Sequence, residues 1–285
     1  MIPFLSWARL RGFCERRAAR PFFRRIVPLR PEIPLISFSF DDFPRSALRN
    51  GGAILKDFGL TGTYYASLGL AGTDTPSGRI FDLDDLTDLL EQGHELGCHT
   101  FAHYNSWNTA TRVFEGSLVQ NRAAIQKLVP DFEFQTFSYP ITSPRPWTKG
   151  IVGRRFRCSR AAGQSLNVGR MDLNQMAAFF LEKSRDNMQA VRNIIDENRR
   201  NRGWLIFATH DVADHPTPFG CNPKFFEEVV QYSVDSGARI VPVVDALAVA
   251  LAPATAFATT SGIPAISAQG STMNRQRSPE VGDEL

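Results

Sequence analysis

Cysteine is too scarce and too scattered in this chain to build a scaffold. Cys14, Cys98, Cys158 and Cys221 are the only four, and no two of them form a CxxC pair. That excludes a zinc-thiolate cluster and a disulfide framework, and a reducing, cytoplasmic location is the expectation. Long apolar runs are missing as well. About eighteen apolar residues in a row are found nowhere, so no transmembrane helix is expected. Arg9 and Arg11 interrupt the apolar start before it reaches the length of a signal-peptide core. Acidic residues are scarce at one end only: residues 1–32 hold eight arginines against Glu15 and Glu32, a surplus of six, so the remainder is acidic by three within an overall +3. Ile2, Phe4, Leu5, Trp7 and Leu10 beside those arginines give the arm a short apolar stripe suited to peripheral contact at the inner membrane face. Because the stripe is short, a basic arm packed on its own domain is the favoured reading. No nucleic acid partner is expected.

What is present is ordinary for a soluble globular protein, with 43% hydrophobic and 21% charged residues in 285. The segments PLISFSF, TGTYYASL, HELGCHT, FEFQTFSYP, FRCSRAA, WLIFATH and ARIVPVV read as strands. LDDLTDLLEQG, FEGSLVQNRAAIQKL and PKFFEEVVQYSVDSG carry apolar residues three or four apart, as helices do. Alternating βα units predict a parallel α/β sheet, with a barrel of about seven strands as the leading architecture and chemistry at the C-terminal strand ends. Three parts are expected: a basic arm over 1–32, the domain over 33–251, and a disordered tail over 252–285, where periodicity gives way to Ala, Thr, Ser, Gly and Pro.

The strand ends carry the informative residues. The first ends in Asp41-Asp42 before Pro44, which is placed to begin a helix. Neighbours on an extended chain point to opposite faces, so the two carboxylates are free to hold different roles. The third ends in His99, with His103 four residues on; that spacing predicts one helical turn with both imidazoles converging on a metal. The sixth ends in His210-Asp211. Two histidines and a carboxylate, from either Asp41 or Asp42, suit zinc in a hydrolase or ferrous iron in an oxygenase.

SFDDFP, GHELGCHTFAH, FSYP and IFATHD resemble, in order, the motifs of the NodB-homology polysaccharide deacetylases, carbohydrate esterase family 4, over roughly residues 33–250. The passage HDVADHPTPFGCNPKFFEEVV is similar to a bacterial subgroup associated with exopolysaccharide or glycolipid synthesis. The resemblance implies a distorted (β/α) barrel and a metal-dependent deacetylase of N-acetylated sugars in a polysaccharide, glycolipid or lipid-linked precursor. It implies that Asp42, His99 and His103 bind the metal, zinc first, with cobalt, nickel or iron as alternatives. It further implies Asp41 as general base, His210 as general acid, and the backbone N–H of Ile141 as oxyanion donor. The family's first motif is T-F-D-D-G, so Ser39 and Phe43 depart from it. Its third-motif arginine and tyrosine are replaced by Ser138 and Ile141; Arg160, near the end of the fifth strand, is the candidate to pair with Asp41 instead, with an ordinary surface ion pair as the slightly favoured alternative reading of that arginine. Asp172 and Asp245 are the candidate partners of His210. His94 is read as structural, and Trp107, Trp147 and Phe219 as loop aromatics able to stack on a sugar. An iron oxygenase, or a barrel that binds glycans without catalysis, are the alternatives.

Overall fold

The computed structural model describes Cys14 and residues 17–141, 143–185 and 187–252. The apolar stripe of residues 2–10 and nearly all of the expected tail therefore lie outside the described residues. Among the described residues, twelve strands run in the order β1 (Ile26–Leu29), β2 (Leu35–Phe40), β3 (Thr63–Ala66), β4 (Asp74–Thr75), β5 (Gly78–Arg79), β6 (Glu95–Cys98), β7 (Thr136–Ser138), β8 (Cys158–Arg160), β9 (Gly169–Asp172), β10 (Phe179–Phe180), β11 (Trp204–Thr209) and β12 (Arg239–Ile240). The main sheet follows the path β10-β11-β2-β3-β6-β7-β8, every pair parallel, with β12 set beside the start of β2. It is an α/β fold with a seven-stranded, curled sheet, a distorted half barrel.

β2 lies third along the path, between β11 and β3, and all six of its residues are buried. Phe38 and Phe40 enter an aromatic cluster with Phe207, Tyr64 and Phe226. The serines between them go inward too, each with a partner: Ser39 Oγ donates to Phe207 O at 2.7 Å, and Ser37 Oγ accepts from Trp204 Nε1 at 3.1 Å. Satisfied in this way, their hydroxyls can be buried at little cost.

Six of the seven strands on the path coincide with predicted segments. The seventh, β10, is two residues long and carries no period to read. ARIVPVV instead supplies only Arg239–Ile240, because Pro242 ends it and a helix follows over Val243–Leu251. Helices α1 (Ala53–Asp57), α2 (Leu83–Glu91), α3 (Thr111–Gln126), α4 (Pro146–Arg155), α5 (Met188–Asn201), α6 (Pro223–Asp235) and α7 (Val243–Leu251) cover the sheet. Pro44 does not open a helix: it bridges Ile80, and helical structure starts one residue later.

The described part of the basic arm packs on the barrel. β1 pairs antiparallel with β9, and Lys149, fully buried on α4, donates from Nζ to Ala19 O at 3.0 Å and meets Asp172 Oδ2 at 2.6 Å.

Candidate active site

β2 runs out at Phe40, and the chain then turns sharply. Asp41 remains tied to the sheet, its N–H donating to Thr209 O at 2.9 Å, while Asp42 and Phe43 take left-handed backbone conformations with φ of 62° and 54°. The position where the resembled family has glycine is left-handed here but filled by a phenylalanine. Phe43 is held there by its ring, stacked on Phe81 at 4.6 Å, and by its carbonyl, which accepts from Phe81 N–H. Thr100, His103 and Ile141 are also left-handed. Such residues cost about 1–3 kcal/mol each and persist where surrounding contacts over-determine them, commonly at functional sites.

His99 and His103 do not sit on a helical turn. They follow β6 in an irregular loop pinned by Ser117 of α3, whose Oγ accepts from Phe101 N–H at 2.8 Å. The two rings still converge, with centroids 5.0 Å apart. Their Nε2 atoms lie 3.4 Å (His99) and 3.0 Å (His103) from Asp42 Oδ1, and the three donor atoms all fall within 4.8 Å of one another. His99 Nδ1 is 2.8 Å from Ser138 O, so it carries the proton and leaves Nε2 as a free donor atom. Ser138, at the place of the family's arginine, acts here through its carbonyl. Sequence reasoning missed Ser77, which donates from Oγ to Asp42 Oδ2 at 2.5 Å from the hairpin between β4 and β5. No well-aligned hydrogen bond reaches the buried Oδ1. A buried carboxylate oxygen without a proton donor, facing two imidazole nitrogens, fits a divalent cation.

Asp41 has a separate set of partners. Its Oδ1 accepts from Arg160 Nη2, and both side chains are almost wholly buried. Burial by itself raises the Asp41 pKa, but the Arg160 guanidinium, with His99 and His210 beyond it, outweighs this and holds the carboxyl below its ordinary value. Arg160 also lies over the Tyr65 ring at 4.8 Å. At Asp42 burial again raises the pKa, and the two imidazoles bring it well below the carboxylate range; in return Asp42 overrides the effect of burial on His103 and raises that ring.

His210 follows β11 with Nδ1 3.2 Å from Phe219 O and its ring 5.4 Å from that of Phe219. Neither predicted carboxylate is its partner. Asp172 is engaged by Lys149 and by the Arg25 N–H, and Asp245 belongs to the first turn of α7, beside the cleft that contains His94. Asp211 closes the loop behind His210, accepting from Thr217 N–H at 2.8 Å and from its hydroxyl at 2.5 Å. Gly220 is required there, since a Cβ would come within 2.2 Å of Asp211 Oδ1. Glu182, which was not predicted, lies just past β10 with a buried, unpartnered Oε2, and His210 acts on its charge.

Ile141 is 65% exposed, and its N–H has no hydrogen-bond partner among the described residues. His94 stays away from the metal trio: Nδ1 accepts from Gly62 N–H at 2.9 Å and the ring packs edge-on against Tyr64. Of the loop aromatics, Trp107 is partly buried and donates from Nε1 to Ser143 O, Phe219 flanks His210, and Trp147 stands exposed on α4.

Residues 30–151 match the family model described as polysaccharide deacetylase. Among solved structures, the chain is similar to the chitin deacetylase of the fungal pathogen Colletotrichum lindemuthianum, with 16% identity over 76% of this chain and 89% of that one and a TM-score of 0.53. It is similar to a family 4 acetyl xylan esterase from Clostridium thermocellum in complex with a cobalt ion, with 18% identity, 74% and 89% coverage, and a TM-score of 0.51. It also resembles BA3943, a CE4 family pseudoenzyme from Bacillus anthracis, with 10% identity, 76% and 66% coverage, and a TM-score of 0.53. A search of curated proteins finds no match. At these identities the likeness to the solved structures speaks for the fold alone.

Proposed function

We propose that this chain, whose residues 30–151 match the polysaccharide deacetylase family model, hydrolyses the acetamide of an N-acetylated sugar in a polysaccharide, glycolipid or lipid-linked precursor and releases acetate. The observation that carries this reading is the separation of two adjacent carboxylates: Asp42 faces two imidazoles, while Asp41 faces a guanidinium. A non-haem iron oxygenase would use the first set and leave the second without a task.

Asp42 Oδ1, His99 Nε2 and His103 Nε2 would hold the ion, zinc first among divalent metals. When bound, it supplies Lewis acidity toward the acetamide carbonyl and lowers the pKa of water toward neutrality. Asp41 stays anionic beside Arg160, which occupies Oδ1, so Oδ2 takes up the proton of the attacking water. The Ile141 N–H is available to the negative charge that develops on the carbonyl oxygen. His210, with Nδ1 turned to the Phe219 carbonyl, keeps Nε2 for delivering a proton to the departing sugar nitrogen. Amines leave poorly without that proton.

The test is metal content and acetate release measured on the same preparations, across N-acetylglucosamine oligomers and bacterial glycolipid fractions. Asp41→Asn keeps its metal while turnover falls by about two to four orders of magnitude. Asp42→Asn loses metal and recovers part of its activity in excess metal. If the two phenotypes are exchanged, the assignments are reversed. Wild-type protein that binds metal but releases no acetate from any substrate supports a glycan-binding barrel instead.

A further inference from the structure

The basic arm and α4 together form a surface that the proposed chemistry does not use. Between residues 17 and 30 there are five arginines and no carboxylate. Arg25 is turned to the backbone carbonyls of Phe156 and Arg157. Arg20 and Arg24 are exposed, and among the described residues their guanidinium groups have no hydrogen-bond or ion-pair partner. Together with Arg170 of β9, likewise without a side-chain partner, they line a cleft of about 410 Å³ that also contains Ser165 and Gln175. Among the described residues Asp172 is the only carboxylate in its wall, and Lys149 already neutralises it from 2.6 Å. The cleft therefore offers uncompensated positive charge.

Between Arg20 and Arg24 the chain presents Phe22 and Phe23, 51% and 41% exposed, and Trp147 of α4 is 69% exposed. The Phe23 ring lies 5.4 Å from that of Trp147 and rests against Gly150, where a Cβ would come within 3.0 Å of it. The left-handed backbone of Phe23 and the hydrogen bond from Asn174 Nδ2 to its carbonyl, 2.8 Å, fix the turn in place. Ordered backbone thus holds large aromatic rings out toward solvent, at the edge of an arginine-lined cleft.

Aromatic rings beside unpaired arginines match the layering of a bilayer interface, where rings enter the headgroup region and arginines meet lipid phosphates. We propose that this face docks on a membrane carrying anionic phospholipids, with Phe22, Phe23 and Trp147 entering the interface and Arg20, Arg24 and Arg170 receiving phosphate. The contact is peripheral: among the described residues no helix is long and apolar enough to cross a membrane. α4 follows the loop that leaves β7, and Ser138 at the end of β7 holds His99, so docking would bring the candidate active site close to the lipid surface. The docking itself does not depend on the deacetylase reading.

The experiment is flotation of the full chain with vesicles of phosphatidylcholine alone and of phosphatidylcholine with phosphatidylglycerol in equal parts. The expected result is binding to the anionic vesicles only. Arg20→Gln with Arg24→Gln is expected to weaken it roughly 10- to 30-fold, the factor two interfacial arginines supply. Phe22→Ser with Trp147→Ser should weaken it to a similar degree. Raised salt should loosen the contact, and Trp147→Phe should remove a blue shift of tryptophan emission on binding. Equal binding to both vesicle types, no binding, or binding unchanged in both double variants would overturn the proposal. So would a concentration-dependent dimer abolished by the aromatic pair, which assigns the face to a second copy of this chain. Loss of soluble glycan binding in Trp147→Ser would assign it to sugar. Acetate release from a soluble substrate stays at the wild-type rate in Arg20→Gln with Arg24→Gln, so failure of docking and failure of the catalytic reading register in different assays.

Discussion

Asp41, Asp42, His99, His103 and His210 were legible because their types and spacing are themselves chemical information, and a barrel brings strand ends together. Arg160 was legible only as a candidate, because the resembled family's arginine is replaced by Ser138 and sequence spacing does not separate a buried pair with Asp41 from a surface ion pair; the structure shows the buried pair. Glu182 and Ser77 were not, because a lone glutamate after an irregular loop and a lone serine in a turn look like any solvated residue. His94 was read as structural, and its surroundings give it a measurable signature. Burial pushes this imidazole from its ordinary 6.5 down to about 4, with Nδ1 accepting from Gly62 N–H. Its neutral form is favoured in the folded state, so the stabilisation is fully present above pH 6.5 and is lost as pH falls from 6.5 toward 4, by about 3 kcal/mol in all. Urea unfolding at pH 7.5 and pH 4.5 checks this: the pH-dependent loss should shrink by most of that amount in His94→Gln, although other titrating groups contribute equally to both proteins. An identical pH dependence in wild type and variant would remove His94 from the account.

Among the elements, α2, α3 and α6 were legible from their apolar spacing, and so were six strands of the path, down to β7 and β8 with three residues each, whereas the 14-residue α5 was not singled out. The short hairpin of β4 and β5 was not, yet it forms one wall of the metal trio. Its base is tied to the Asp42 turn by the Pro44–Ile80 bridge and the Phe43–Phe81 stack, and its tip delivers the Ser77 hydroxyl to Asp42 Oδ2. With Oδ2 engaged, Asp42 is left to offer Oδ1 to a metal. Ser77→Ala is therefore expected to weaken zinc binding by about 10- to 100-fold, the usual effect of removing a hydrogen bond to a ligand. Competition with a chromophoric chelator reads this directly. Ser77→Ala should have no further effect on zinc affinity in an Asp42→Asn background if the hydroxyl acts through that carboxylate; an equal effect in both backgrounds would point to a general loosening of the hairpin.

At the scale of the whole molecule, the sequence conveyed the parallel α/β barrel but not how the arm meets it. Composition marks residues 1–32 as one basic segment, whereas residues 26–29 are a strand and Ala19 O receives a buried lysine. Those contacts are made over sequence separations of 130 and more, which no local pattern encodes. Deleting residues 1–30 is expected to lower stability by about 3 kcal/mol or more, because Lys149 would lose its carbonyl acceptor and β9 the strand β1 that pairs with it. Thermal unfolding of the truncated chain tests this, and an unchanged midpoint would make the arm dispensable. The distribution of the site along the chain has a consequence for the order in which it is made. Asp42, Ser77, His99 and His103 are all synthesised within the first 103 residues, and Ser138 completes the imidazole's support soon after. Arg160 comes 119 positions after Asp41, and His210 later still. A nascent chain emerging from the ribosome thus holds the candidate metal donors and the proposed base well before it holds the arginine that pairs with that base or the proposed acid, and closing the longer loops costs more entropy. If the site takes an ion as proposed, loading can precede competence, and the ion is then available as a folding template for the strands still to come.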